Sequence, residues 1–331
     1  MTGGEVGTIA GGVTRARVAI LNDYQHVALE SANWSEVERL AEIVVCHDAF
    51  GSQDELIEQV AGATIVVVMR ERTRFPREVL ERLPALKLLV TTGMRNASID
   101  LDAARDLGVT VCGTGSGGYA TSELTWGLIL GLLRHIPAEH QAIIEGHWQT
   151  RVGETVRGKT LGIVGLGRLG SLVGAIGLAL GMRVIAWSHH LTDERAAECG
   201  AERAESLEEL FEQSDVITIH TVSSKRTRGM IDASLLARMR PSAILVNTSR
   251  SAIVDYDALL RLLQTHAIRG AALDVFASEP LPADSGFRTL DNVILTPHIG
   301  HVTRDNYSAF YGDAVEDILA FWDGRPVRVL A

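Results

Sequence analysis

The stretch TLGIVGLGRLG, Thr160 to Gly170, decides the fold. An apolar run containing β-branched Ile163 and Val164 predicts a buried parallel strand. It stops at Gly165-Leu166-Gly167-Arg168-Leu169-Gly170, the spacing G-x-G-x-x-G. Ser171 to Leu180 then predicts a helix. In such a strand-turn-helix Gly165 permits the tight turn, Gly167 lets a pyrophosphate approach the backbone, and Gly170 lets helix and strand pack closely. The free N–H groups at the helix start attract phosphates. An ordinary glycine-rich turn is the plain alternative; the strand before and the helix after favour a dinucleotide site.

The chain of 331 residues is long for one core and suits two domains. Its 46% hydrophobic and 22% charged content is that of a soluble globular protein, and a formal net charge of −10 argues against nucleic acid as a partner. Cys46, Cys112 and Cys199 form no C-x-x-C pair, so neither a disulfide framework nor a metal site is expected, which fits the reducing cytoplasm. Residues 1–16, rich in Gly and Thr, are expected to be a disordered leader, and no apolar run is long enough to span a membrane.

Upstream of the glycine motif, strands are expected at Val18–Leu21, Ile43–Cys46, Thr64–Met69, Lys87–Val90 and Val109–Cys112, with helical segments between them. Gly113 to Gly118, GTGSGG, is the expected linker. A long helix follows, Ala120 to Ile136, continuing beyond Pro137 to about Trp148. Its Leu124, Leu128, Ile129 and Leu132 suit burial against another domain or subunit, or a plain core. Downstream, strands at Val184–Trp187, Val216–His220, Ala243–Asn247, Ala271–Asp274 and Val293–Leu295 complete a Rossmann pattern, with helices at Ser206–Gln213, Ala233–Met239 and Asp255–Gln264. A last helical run, Ala309–Phe321, is expected to return to the first domain. The fold class is therefore α/β: two doubly wound parallel-sheet domains, a Rossmann cofactor domain (116–301) inserted in a flavodoxin-like substrate domain (17–115 and 302–331).

Three polar clusters follow successive strands of the second domain: Thr248-Ser249-Arg250, Asp274 with Glu279 five residues on, and Thr296-Pro297-His298. Ligands of such sheets bind beyond the carboxyl ends of strands, so Arg250, Glu279 and His298 are expected to converge. Reduction of a 2-oxo acid needs a planar cation for the carboxylate, which Arg250 supplies, and a proton donor, for which His298 is suited near neutral pH. Glu279 is the carboxylate expected to orient the imidazole. Each taken singly is as ordinary as any loop residue; their joint position on one edge argues for chemistry.

With these residues in view the chain resembles the D-isomer-specific 2-hydroxyacid dehydrogenases. The matching stretches are GKTLGIVGLGRLG (158–170), SDVITIHTVSSKRTRGMI (214–231), MRPSAILVNTSRSAIVD (239–255), ALDVFASEPLP (272–282) and LTPHIG (295–300). The resemblance implies that Arg250 binds substrate, that His298 is the acid/base with Glu279 as its partner, and that Asp274 holds the nicotinamide amide. It further implies cofactor contacts at Arg168, Leu169, Ser188 and His189, and at His220, Thr227, Thr248 and Ser249. The substrate carboxylate is expected against the loop Thr92-Gly93-Met94-Arg95-Asn96, and the protein is expected to be a homodimer joined through the cofactor domain, which favours an interface role for Ala120–Ile136. Closure of the two domains over the substrate is expected to exclude water.

Two departures qualify the resemblance. After the second cofactor-domain strand NAD-dependent members usually carry an Asp for the adenosine ribose, whereas this chain has Trp187-Ser188-His189-His190. No carboxylate repels a 2′-phosphate and no Arg follows to clamp one, so NAD(H) is expected with NADP(H) also admitted. Arg95, near Arg70 and Arg72, stands where the family commonly has a small residue. Arg70, Gly93, Met94 and Arg95 are thus the candidate substrate contacts, with pairing to Glu71 or other acids as the structural alternative. His301, also usually small, is expected to narrow the site, and Tyr24, Trp148, Tyr307 and Tyr311 to wall it or fill a core. Two rivals stand beside the small-acid reductase. One is phosphoglycerate dehydrogenase, many of which carry an extra regulatory domain that is not expected in a chain ending at Ala331. The other is an NAD(H)-sensing interaction protein like the C-terminal-binding corepressors.

Overall fold

A strand covered on both faces has no polar side to show, so its residues form a continuous apolar run. The computed structural model describes residues 15–331, and the runs expected as strands form two parallel sheets. Of the expected leader, residues 1–14 lie outside the described residues, and Ala16 already opens the first strand. The chain divides into two compact units, one ending at Gly117 and resuming with Arg304–Ala331, the other Gly118–Thr303.

In the first unit β1 (Ala16–Ile20), β2 (Ala41–Val45), β3 (Ile65–Val68), β4 (Leu88–Thr91) and β5 (Thr110–Gly113) lie in the order β2-β1-β3-β4-β5. This is the flavodoxin-like order, whose switch point falls between β1 and β3. Val66, Val68, Leu89 and Val111 pack with Phe75, Val79 and Leu80 in its core. The glycine-rich stretch expected as a linker is tied down inside this unit. Gly115 N–H donates to Asp313 at 2.7 Å and Gly117 N–H to Asn306 at 2.9 Å, both on the closing helix Arg304–Trp322. That helix begins five residues before the expected Ala309, and it takes Tyr307 and Tyr311 into the core rather than to a binding wall.

The second unit holds β6 (Thr160–Val164), β7 (Arg183–Trp187), β8 (Glu202–Arg203), β9 (Val216–Ile219), β10 (Ile244–Asn247), β11 (Gly270–Leu273) and β12 (Val293–Leu295). Their order, β12-β11-β10-β9-β6-β7-β8, is the Rossmann order with a switch point between β6 and β9. β8 was not expected: two charged, exposed residues give no apolar signal, and shortness with charge is how an edge strand avoids further pairing. Ser206, Asp232 and Asp255 each cap a helix through the N–H three residues on, so the observed helices start one residue after the cap.

The expected continuous helix from Ala120 is instead two helices, Ala120–Leu133 and Ile136–Ile144. The break falls at Arg134 and His135, the latter at φ 54°, because Pro137 is tolerated in the first turn of a new helix and not inside an old one. A second correction concerns packing. Leu128, Ile129 and Leu132 are buried in the core of their own unit with Leu161, Val173 and Val246, and Leu124 packs beside them, so Ala120–Leu133 is a core helix. The outward apolar side chains belong to the next segment: Ile136, Ile143, Ile144 and, 77% exposed, Trp148.

On the closing helix Asp317 is fully buried, and its Oδ1 accepts from Arg328 at 3.0 Å. Burial pushes its carboxyl up to about 7 despite Arg328, so the folded state holds a proton the unfolded chain releases near pH 4. Stability from this group is therefore lost as pH rises from about 4 towards 7. In urea unfolding at pH 5 and pH 8, Asp317→Asn is expected to gain on the wild type by a few kcal/mol between the two values; a constant difference would contradict this.

Candidate active site

The glycine turn is built as its spacing implies. Gly165 is at φ 103°, and a Cβ there would stand 2.7 Å from Thr221 N, so no other residue fits the crossing. A Cβ on Gly170 would collide with the Gly165 carbonyl, whereas around Gly167 nothing lies within 4 Å. The open face is the one a pyrophosphate needs. The helix begins at Arg168, three residues earlier than expected, so the first free N–H groups face that space. Ser188 Oγ accepts from Leu166 N–H at 3.0 Å and thereby holds the turn. Next to it His189 tilts against Trp187, ring centroids 4.9 Å apart.

Other expected cofactor residues hold local hydrogen bonds around the same edge. Thr227 closes its own loop, donating to Val222 O at 2.7 Å and accepting from Ser224 N–H at 2.8 Å. Thr248 meets Thr125 hydroxyl to hydroxyl at 2.9 Å, and Ser249 donates to Thr221 O at 2.6 Å, joining the loops after β10 and β9. His220 bonds Thr218 at 2.9 Å, and burial pushes its imidazole down to about 4, so it is a neutral donor or acceptor at pH 7.

Strands β10, β11 and β12 pair in register, Asn247 with Leu273 and Leu273 with Leu295, so Arg250, Glu279 and His298 leave the sheet on one edge. His298 Nδ1 lies 2.7 Å from Glu279 Oε2. The other carboxylate oxygen, Oε1, accepts from Phe276 N–H at 2.8 Å. Burial works against the charge on Glu279, but the His298 hydrogen bond and charge, the Phe276 N–H and the Arg250 guanidinium together outweigh it and hold the carboxyl below its ordinary value. With Nδ1 engaged, Nε2 is the nitrogen left for a substrate oxygen. His301 is packed edge-on against His298, centroids 5.5 Å apart.

Arg250 sits in extended backbone, its Nη1 on Ser249 O at 2.8 Å. Its loop is fixed by residues the sequence reading missed. Asn247, fully buried, donates through Nδ2 to Arg250 O at 3.1 Å and to Tyr256 Oη at 3.2 Å, and accepts from Ser249 N–H at 3.0 Å. Tyr256 in turn donates to Val275 O at 2.7 Å. The only local signal for this network is a polar residue ending an otherwise apolar strand.

The candidate substrate contacts of the first unit lie at the ends of β3 and β4. Arg70, at φ 52°, donates its N–H to Thr92 Oγ1 at 2.9 Å and stacks its guanidinium over Gly93, with Glu71 at 3.9 Å. Arg72 lies 4.5 Å over the Tyr24 ring and donates to Asn22 O at 2.8 Å. Met94 and Arg95 are exposed, while Asn96 closes the loop by donating to Arg70 O and Thr91 Oγ1. Among the described residues no group of three or more His, Cys, Asp or Glu side chains is set to hold a metal ion, and no helix is long and apolar enough to cross a membrane.

Residues 126–300 match the model of the D-isomer specific 2-hydroxyacid dehydrogenase, NAD binding domain. The chain belongs to this family. It is 38% identical over 262 residues to glyoxylate reductase of Aeropyrum pernix, covering 76% of this chain and 78% of that protein. Over 280 residues it is 36% identical to D-3-phosphoglycerate dehydrogenase of Synechocystis sp., covering 84% of this chain but only 50% of the relative; the chain spans about half the length of the curated phosphoglycerate dehydrogenases it matches. The crystal structure of a phosphoglycerate oxidoreductase from Vibrio cholerae superimposes with a TM-score of 0.89 at 33% identity, over 93% of this chain and 99% of that one.

Because Ser188 Oγ braces the glycine turn by accepting from Leu166 N–H, Ser188→Ala is expected to weaken binding of both NADH and NADPH, by about five-fold for one hydrogen bond. Fluorescence titration with each nucleotide checks it, and a loss confined to NADPH would return Ser188 to the 2′-phosphate.

Proposed function

We propose that this protein is an NAD(P)-dependent dehydrogenase interconverting a small 2-oxo acid and the D-2-hydroxy acid. The observation that carries the reading is the 2.7 Å contact between His298 and Glu279, with the Arg250 charge acting on the same carboxylate. The cofactor fits the residues present: the open space at Gly167, the N–H groups from Arg168 and Leu169, and the Ser188-braced turn suit a dinucleotide pyrophosphate. NAD(H) is the proposed cofactor, with NADP(H) accepted because no carboxylate follows Trp187.

Held at the Gly165–Gly170 turn and the N–H groups from Arg168 and Leu169, the dinucleotide would supply or accept the hydride at the substrate's C2. Arg250 binds the substrate carboxylate and fixes its plane. His298 gives its Nε2 proton to the oxygen that becomes a hydroxyl, and takes it back in the reverse direction. Glu279 keeps the imidazole oriented and balances its positive charge. For a substrate with a second anionic group, Arg70 and Arg95 are the proposed extra contacts; the phosphoglycerate relatives, named for a phosphorylated acid, favour including that class.

We also propose a homodimer, supported by the exposed Ile143, Ile144, Trp148 and Val152. Sedimentation of the wild type as a dimer and of Trp148→Arg as a folded monomer is the expected result; a monomeric wild type would sink the proposal.

The decisive assay follows NADH and NADPH oxidation with glyoxylate, hydroxypyruvate, pyruvate, bulkier 2-oxo acids and phosphohydroxypyruvate. Turnover is expected with at least one acid, and His298→Ala is expected to lower kcat by about 10²- to 10⁴-fold. Arg95→Ala should raise KM only for acids carrying a second anionic group. Nucleotide binding without turnover of any acid would favour a sensing role instead.

A further inference from the structure

The Glu279 carboxylate is held at both oxygens, Oε2 against His298 Nδ1 and Oε1 by Phe276 N–H at 2.8 Å. That N–H belongs to the peptide unit whose carbonyl is Val275 O. A peptide unit is rigid and planar, with C=O and N–H pointing in opposite directions, so whatever fixes the Val275 carbonyl also fixes the Phe276 N–H. The group that fixes it is the Tyr256 hydroxyl, which donates to Val275 O at 2.7 Å.

The direction of this bond follows from the partners on its other side. Asn247 Oδ1 accepts from Ser249 N–H at 3.0 Å, which leaves Nδ2, a donor only, facing Tyr256 Oη at 3.2 Å. The phenol must accept there, and its one hydrogen goes to Val275 O. Burial pushes the Tyr256 hydroxyl far above its ordinary value, with the Asn247 bond opposing the push and the charges of Glu279 and Asp274 adding to it, so the hydrogen stays in place throughout the neutral range. The ring is placed independently. Tyr256 opens the helix Tyr256–Gln264, which Asp255 caps by accepting from Ala258 N–H at 2.9 Å, and it stands edge-on to Phe287 with centroids 5.6 Å apart.

We infer that Tyr256 is a positioning residue for the acid/base pair: through the single peptide Val275–Phe276 its hydroxyl holds Glu279, and through Glu279 it holds the imidazole of His298. The bonds run the same way, from Asn247 through Tyr256 and the peptide to Glu279, and in such a series each bond polarises the next. Asn247 also donates to Arg250 O at 3.1 Å, so the series ties the loop of Arg250 to the loop of Glu279. The catalytic consequence rests on the proposed reductase reading, while the hold on Glu279 is a property of the folded protein and can be tested without turnover. The charged and titratable groups around the pair are Arg250, Asp274, His301 and Tyr256 itself.

The test compares the full-length wild type with Tyr256→Phe, which removes the hydroxyl and keeps the ring, and Phe287→Leu, which removes the ring's partner and keeps the hydroxyl. His298 is followed by NMR of ring-labelled histidine, its signal assigned by its loss in His298→Gln, and turnover is measured with the best acid of the panel at saturating NADH. In Tyr256→Phe we expect the His298 titration to move to lower pH by about half a unit, equivalent to a roughly threefold weaker hold by the carboxylate. We expect kcat for reduction to fall about three- to tenfold, as for one lost hydrogen bond. KM for the acid should stay within about twofold, because Arg250 O keeps its own bond to Asn247. Phe287→Leu should unfold at lower urea with the His298 titration at its wild-type position. An unmoved titration in Tyr256→Phe would overturn the inference, and so would a shift of equal size in Phe287→Leu, which would make packing of the ring the cause. Should the wild type reduce none of the acids, the reductase reading fails alone, and the titrations still decide whether Tyr256 holds Glu279.

Discussion

The contact on which the chemistry proposed for the second unit depends is the one between the Glu279 carboxylate and His298 Nδ1. An imidazole that passes a proton near neutral pH needs its ring oriented and its cationic form balanced, and in the proposed reaction Glu279 does both. The two residues are nineteen positions apart in the chain, on loops following β11 and β12. Their meeting therefore rests on the parallel register that sets the ends of those strands side by side, and on hydrogen bonds that shape each loop after it leaves the sheet.

Carboxylates of one chemical kind serve opposite ends here because their neighbours differ. Glu279 is drawn below its ordinary value in spite of burial by an imidazole, a backbone N–H and a guanidinium, so it stays charged and acts on His298. Asp274, more deeply enclosed and served by a hydroxyl and two N–H groups, is pushed upward and turns its oxygens to the backbone around His298. Asp317, in the other unit, is pushed up to about 7 although Arg328 is bonded to it. Its role is to tie the end of the chain to the closing helix.

Much of this was legible from local pattern. The glycine spacing named its own turn, because each glycine answers a separate steric demand, and nearly continuous apolar runs marked the strands because both sheets are covered on each face. Arg250, Glu279 and His298 could be singled out because they follow successive strands of one sheet. What escaped was set by partners distant in sequence. Nothing around Asn247 announces that it will bond Arg250 and Tyr256 at once, and nothing beside Ser188 announces Leu166 N–H. The helix from Ala120 was drawn too long because its apolar spacing runs through Leu133 into Ile136, while the break depends on where Pro137 can be accommodated. Leu128 and Leu132 could be read as interface or as core because a helical stripe of leucines carries no label for which surface will cover it, and the core reading is the one observed.

The measurement that bears most directly on the central pair is the pH dependence of kcat/KM for reduction, in wild type and in Glu279→Gln. Reduction needs the proton on the imidazole, so the rate falls as pH rises through the ionisation of the pair. The Glu279 carboxylate lies 2.7 Å from Nδ1, so Glu279→Gln takes a negative charge from beside the ring and loosens its orientation. The account predicts a lower kcat/KM in Glu279→Gln, with the fall moved to lower pH. Superimposable profiles for the two proteins would contradict it.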